Sequence, residues 1–145
     1  MQGRGDELHA LRPLDMQWLV LLVAPHDVLD KTRRLYTALQ PGDFSSGEAT
    51  RRAAEKLTDG KSLDPEDCVN GFERAAREVF PGLSATWAKA EGQTDRKFHL
   101  TGAGPALFAF ARDRRDAQQQ ARALGGYAVR SVKHARASTN IIGYP

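Results

Sequence analysis

Within the run Phe98-His-Leu-Thr-Gly-Ala-Gly-Pro-Ala-Leu-Phe-Ala-Phe110, two glycines stand two apart between apolar stretches. Glycines at that spacing let the backbone take positive φ and leave its amides bare, so a turn of this kind can approach a phosphate closely. The same residues also make an ordinary turn, because Gly and Pro are the commonest punctuation between strands. Thr101, Gly102, Ala103, Gly104 and Pro105 form the first candidate site, and no residue of the chain is assigned a catalytic role.

Three other groups could do chemistry. His26 and Asp27 follow the end of an apolar run, where ligands often sit in sheet proteins, although two polar residues after a proline are equally a plain loop. Arg33 and Arg34 have the form of a phosphate clamp or of a solvated helix face. His99, two residues before the glycine turn, can face the core or a ligand, and a half-satisfied strand histidine is the simpler reading. Cys68 is expected as a buried helix residue, which argues against a Cys-His nucleophile. The four histidines are far apart in sequence with one cysteine among them, so no metal site is expected. No Gly-Lys-Ser/Thr follows the glycines, and no strand-turn-helix carries the dinucleotide pattern.

These residues must be positioned by strands and helices that the pattern marks. Gln17 to Val23 is a continuous apolar run of strand length, expected to be a central strand covered on both faces. Asp27 or Asp30 can cap a helix over 31–39, with Leu35, Tyr36 and Leu39 on one face. The loop 40–47 follows, with Phe44 expected to fold back onto the body. A second, peripheral helix covers 48–57 and is closed by Thr58-Asp-Gly-Lys. Asp64 is an N-cap signal, with Pro65 at a first helical position and Asp67 in the first turn. From there Val69, Phe72, Ala76, Val79 and Leu83 form an apolar stripe with Trp87 one turn beyond, interrupted at Pro81-Gly82. The hairpin comes next, with strands over 97–101 and 106–111. Asp113 can cap a helix over 115–124 that Gly125-Gly126 ends, and a last strand covers 127–133. Residues 1–16 read as a lead-in and 135–145 as a loose tail of one domain spanning 1–145. The order gives two βαβ-type units sharing a central hairpin. The expected fold class is α+β: a ferredoxin-like split βαβ with a four-stranded antiparallel sheet, helices mainly on one face and extra helices in the first crossover.

Composition narrows the function classes. A chain of 145 residues holds one domain with a real core. Its 21 Lys and Arg against 18 Asp and Glu give a net charge of +3, too small and too scattered an excess to indicate nucleic acid. One cysteine excludes an intramolecular disulfide and fits a reducing cytoplasm. The run from Trp18 to Pro25 is far shorter than the roughly 20 residues of a membrane helix, and no apolar signal core opens the chain.

Leu100-Thr-Gly-Ala-Gly-Pro-Ala-Leu-Phe108 resembles the third conserved motif of the GHMP small-molecule kinases, a glycine-rich turn between two strands of their C-terminal domain. Further blocks are similar in the same order to the kinases of 4-diphosphocytidyl-2-C-methyl-D-erythritol within that superfamily. They are Gly3-Arg-Gly-Asp-Glu-Leu8, Trp18-Leu-Val-Leu-Leu-Val-Ala-Pro25, Asn70-Gly-Phe-Glu73 and Val79-Phe-Pro-Gly-Leu83.

The resemblance implies ATP- and Mg-dependent phosphorylation of a hydroxyl in non-mevalonate isoprenoid synthesis, in a cleft between two domains. It covers only the family's second half. The substrate-binding Lys and Tyr-His region, the Gly-Gly-Gly-Ser-Ser phosphate loop and the assisting Asp have no counterpart here. Asp27-Val-Leu-Asp30 replaces the family's usual Gly-Val-Ser-Thr, and Ala103 and Ala106 stand where many relatives carry Ser or Thr. The expected partners are an N-terminal kinase domain, in the same or a separate chain, and a small-molecule substrate. No cofactor is expected to bind this chain alone, which is expected to be inactive. Two alternatives stand beside this reading: a stand-alone ferredoxin-like module binding a nucleotide or small ligand, and a homodimer formed through the sheet or its uncovered face.

Overall fold

The structure, a computed structural model, describes residues 17–130. The lead-in 1–16, the tail 135–145 and the last residues of the final strand expected over 127–133 lie outside the described residues. The elements are β1 (Trp18–Val23), α1 (Lys31–Ala38), α2 (Glu48–Thr58), α3 (Glu73–Val79), α4 (Leu83–Thr94), β2 (His99–Leu100), β3 (Ala106–Ala111), α5 (Arg114–Leu124) and β4 (Tyr127–Arg130). Short 3-10 turns occupy Pro41–Asp43 and Pro65–Asp67.

The sheet runs β2-β3-β1-β4 with every neighbouring pair antiparallel, which is the order of a ferredoxin-like split βαβ fold. Directly paired residues share a face. Val20 pairs with Ala109, and Leu22 and Leu100 pair with Leu107; these five are all buried, as is Phe98 beside them. Onto that face pack Ala75, Ala76, Val79 and Phe80 around α3, Leu83, Trp87 and Ala90 of α4, and Ala121 of α5. Each fully buried large apolar side chain here stabilises the fold by about 1.5–3 kcal/mol.

Cover on both faces of β1 does not hold. Leu19 and Leu21 are only half-buried and Val23 is 53% exposed, because the helices of both crossovers gather on the other side.

Helix ends follow the local signals in part. Asp113 accepts a hydrogen bond from Asp116 N at 2.9 Å and Gly125 closes α5 at φ +68°, as the sequence predicts. The end of α2 is closed by Gly60 at φ +73°, with Lys61 N donating to Lys56 O. Asp30 occupies the N-cap position of α1 but makes no capping bond, its carboxylate being held by Arg33 at 3.0 Å.

The helix expected from Asp64 is a single 3-10 turn. Asp67 turns back to accept from Asp64 N at 2.8 Å and from Lys56 Nζ at 2.6 Å, which ties the turn to α2. The chain then bends at Gly71, where a Cβ would stand 2.8 Å from the Asp43 carbonyl oxygen. Val69 therefore leaves the apolar stripe and is 57% exposed, and Cys68 lies half-buried in a loop rather than inside a helix.

Two further expectations are corrected. Phe44 is 70% exposed because Asp43, one residue earlier, is anchored to Arg74 and the phenyl ring is carried outward. Tyr36 is also exposed, at 62%, with its ring against the edge of Phe72.

Candidate functional site

The glycine turn lies at the end of the sheet where β1 finishes. Thr101 N donates to Ala106 O at 2.9 Å and Gly104 N to Thr101 O at 3.1 Å, which closes the turn on itself. Gly102 and Gly104 have φ of +56° and +74°, and the Gly104–Pro105 peptide bond is cis. At Gly104 the demand for glycine is double, since a Cβ would also stand 2.9 Å from Leu100 Cδ1 and 3.4 Å from Phe80 Cε2. At Gly102 the space is open and φ alone selects it.

The turn is held from three directions. Pro105 O accepts from Ala24 N at 3.2 Å, which joins the turn to the end of β1. Asn70 Nδ2 donates to Leu100 O at 3.0 Å and to Gly102 O at 2.8 Å. Its Oδ1 accepts from Phe72 N at 2.9 Å, so the approach to α3 and the turn are one hydrogen-bonded unit. Gly104 also packs toward Phe80, the residue that ends α3.

Among the described residues no acceptor pairs with the amides of Gly102 and Ala103. Thr101 and Gly102 are exposed, Ala103 and Gly104 half-buried and Pro105 buried. A neighbouring pair of free backbone donors suits an anionic oxygen, at about 0.5–1.5 kcal/mol net for each bond in water.

The other candidates separate into two places. His26 lies at the turn's end of the sheet, its ring edge-on to Phe80 with centroids 5.5 Å apart, and Asp27 follows it exposed to solvent. A surface hollow of about 910 Å³ opens beside them over the start of α1. Arg33 is engaged by Asp30 on this surface, which makes it part of an exposed ion pair rather than a free clamp.

His99 is elsewhere. It is 2% exposed and leans on Phe108 with ring centroids 5.5 Å apart. Burial and the nearby Lys97 push its pKa down, against a hydrogen bond to the Cys68 backbone that favours the charged form. Its Nε2 is buried with no partner among the described residues, the half-satisfied state that the sequence points to.

His99 borders a separate cleft of about 530 Å³ that also takes in Cys68, Glu73 and Glu91. Burial and then Asp67 push the Cys68 thiol up, the reverse of an activated nucleophile. Burial likewise raises the Glu73 carboxyl. Among the described residues no group of three or more His, Cys, Asp or Glu is placed to hold a metal ion.

Asn70 is the residue whose part in the turn the sequence did not disclose. The sequence pattern places it inside the helix expected from Asp64, whereas its partners lie 30 and 32 residues further on.

Comparison with known proteins gives three findings. The family model described as GHMP kinases C terminal matches residues 48–129. The chain is 39% identical over 121 residues to proteins of two strains of Dehalococcoides mccartyi named 4-diphosphocytidyl-2-C-methyl-D-erythritol kinase, across 82% of this chain and 42% of each relative. It therefore spans well under half the length of these curated relatives. A crystal structure of 4-(cytidine 5'-diphospho)-2C-methyl-D-erythritol kinase superposes with a TM-score of 0.65 at 25% identity, over 88% of this chain and 46% of that one.

Proposed function

This chain belongs to the GHMP kinases, as their C-terminal domain, and on that premise we propose that it forms one wall of the substrate cleft of an ATP-dependent 4-diphosphocytidyl-2-C-methyl-D-erythritol kinase. The reading makes the chain a single domain of a cytoplasmic enzyme of non-mevalonate isoprenoid synthesis. No helix among the described residues is long and apolar enough to cross a membrane.

The observation that carries the proposal is the pair of free amides at Gly102 and Ala103, held at an exposed end of the sheet by Asn70 and by the packing around Gly104. A donor pair fixed in advance needs no reorganisation when a phosphate oxygen arrives, which is the form of assistance phosphoryl transfer draws on. Thr101 to Pro105 shape the cleft near the transferring group, and His26 and Asp27 flank it. ATP with Mg²⁺ supplies the phosphoryl group. The amides of Gly102 and Ala103 fit a phosphate oxygen, whereas among the described residues no group of three or more His, Cys, Asp or Glu is placed to hold a metal ion.

A single wall positions nothing, because phosphoryl transfer needs donor, acceptor and metal held together in a site from which water is excluded. The isolated 145-residue chain is expected to form no ADP from ATP and the methylerythritol substrate. Joined to the N-terminal half of a curated relative, it is expected to turn over. Turnover by the chain alone would overturn the requirement for a second half, and a folded but inactive fusion would overturn the kinase reading.

A further inference from the structure

The cleft of about 530 Å³ beside the edge strand β2 lies apart from the free amides of the glycine turn, and its volume is within the range of about 300–1,000 Å³ that small molecules occupy. Its walls carry polar groups that the fold leaves unmatched. Glu73 of α3 is half-buried, and its carboxylate makes no ion pair or hydrogen bond among the described residues, although burial works against its charge. Glu91 of α4 accepts from Trp87 Nε1 and from Phe98 N, each at 3.0 Å and each on Oε1, so its Oε2 takes no bond among the described residues. His99 lines the same cleft at 2% exposure, its ring bonded to the Cys68 backbone and its Nε2 without a partner among the described residues. An acceptor held out of water with no donor costs the fold free energy, which an arriving donor relieves.

The mouth of the cleft carries the opposite sign. Lys97 is exposed and in no ion pair among the described residues, and Arg77 lies over the Trp87 ring, 3.9 Å from its centroid, likewise without a carboxylate partner. Glu66 is exposed at the same mouth, while Asp43 is already taken up by Arg74. Lys97 and Glu73 feel each other's charge across the space, yet no ion pair closes between them. The carboxylates do not converge on one point as a metal ion requires, since no group of three or more His, Cys, Asp or Glu among the described residues is placed to hold one.

We propose that this cleft binds a small zwitterion, its ammonium group against Glu73 and Glu91 and its carboxylate toward Lys97 and Arg77. A plain anion meets the three carboxylates of Glu66, Glu73 and Glu91, and a plain cation meets Lys97 and Arg77 on entry; a molecule with both charges is opposed at neither end. Arg77 offers the carboxylate a planar fork of donors that the Trp87 ring keeps in place. The site also reaches the glycine turn. Asn70 lines the cleft and is the residue whose Nδ2 donates to Leu100 O and Gly102 O, so occupation is felt at the amides of Gly102 and Ala103.

The test titrates the full chain with glycine and γ-aminobutyrate, which carry the same two charged groups at different separations, and with butyrate and putrescine, which carry charge of one sign only. Calorimetry reads the affinity and amide chemical shifts read the place. Saturable binding of at least one zwitterion is expected, at least tenfold tighter than either single-sign compound. Glu73→Gln and Lys97→Met are each expected to weaken it at least fivefold, and Glu55→Gln, at an exposed carboxylate of α2 outside the cleft, less than twofold. Far-UV circular dichroism establishes that each variant is folded, and the exposed Lys97 serves alone where Glu73→Gln is not tolerated. Shifts are expected at Glu73, Lys97 and His99, and with them at Gly102 and Ala103. Absence of saturable binding of either zwitterion at millimolar concentration overturns the proposal, as does binding indifferent to both substitutions. Butyrate or putrescine binding as tightly as the zwitterions overturns the pairing of charges, and shifts confined to the cleft overturn the link through Asn70.

Discussion

Two turns among the described residues carry paired glycines, and they are used in opposite ways. Gly125 and Gly126 join α5 to β4, and both their amides are taken up by the helix: Gly125 N donates to Ala121 O and Arg122 O, and Gly126 N to Ala121 O at 2.7 Å. Gly102 and Gly104 join β2 to β3, and there the amides of Gly102 and Ala103 are left without partners among the described residues. Each turn has one glycine selected by φ alone in open space, Gly125 and Gly102. Each also has one that is crowded, Gly126 and Gly104. Glycine content and dihedral angles therefore do not tell a structural turn from a binding turn. The distinction lies in whether the backbone donors are already satisfied within the fold.

The contrast can be broken by substitution, and the largest effect is expected at Gly126→Ala. The new Cβ would stand 2.6 Å from the Leu21 carbonyl oxygen and closer still to Leu22 Cδ2, and a backbone carbonyl in the central strand cannot step aside. A loss of about 3 kcal/mol is expected in denaturant titration. Retention of wild-type stability would show that β4 can move off β1.

Gly104→Ala comes next, at about 2 kcal/mol, combining left-handed strain with a clash at the flexible Leu100 side chain. In the assembled enzyme it is also expected to lower turnover, which Gly126→Ala is not expected to do beyond its effect on folding. Equal loss of turnover from the two, at matched folded fraction, would erase the distinction between the turns.

Asn70→Ala removes two donated hydrogen bonds and is expected to cost about 1–2 kcal/mol. Asn70→Asp keeps the acceptor for Phe72 N but turns a carboxylate oxygen toward two carbonyls, so it is expected to be no better than alanine. Rescue by aspartate in urea melts would refute the donor role.

The smallest effect concerns pH. The His99 pKa in the folded chain lies below the free value of 6.5, so the unfolded chain binds more protons just below that pH. Stability gained from the neutral, buried ring is then full above pH 6.5 and declines as pH falls toward the folded value. The decline is expected in stability curves of the wild type and is expected to be reduced in His99→Gln. A wild-type curve flat through this range would place the ring in water.

Much of the scaffold was legible in the residues. The two apolar runs flanking the glycine turn defined the hairpin, and Asp113 with Gly125 bounded α5 because capping signals act over a single helical turn. The sheet order followed from the sequence of strands and helices. The Asp64–Asp67 segment was misread for a physical reason: a capping pair at the start of a long helix and one closing a single 3-10 turn look alike locally. What decides between them are Lys56 and Asp43, which lie outside the stretch being read, and the close approach of Asp43 O to Gly71, which that stretch does not show by itself. Apolar residues on both sides of β1 led to an expectation of cover on both faces, which fails because periodicity does not say on which side the helices gather. At the site, the turn itself was visible and its tether was not, since Asn70 meets its partners only after the chain has returned through α3 and α4.

The unequal use of amides in the hairpin turn gives it a signature in exchange with solvent deuterium. Thr101 and Gly104 have backbone donors engaged within the turn, while Gly102 and Ala103 between them do not. Over four consecutive residues the expected protection pattern is slow, fast, fast, slow, which a frayed loop or a fully bonded helix cap would not give. An oxyanion seated on the turn converts the two fast positions to slow ones and leaves the outer pair unchanged. The middle of this turn then reports occupancy amide by amide, without any need for catalysis.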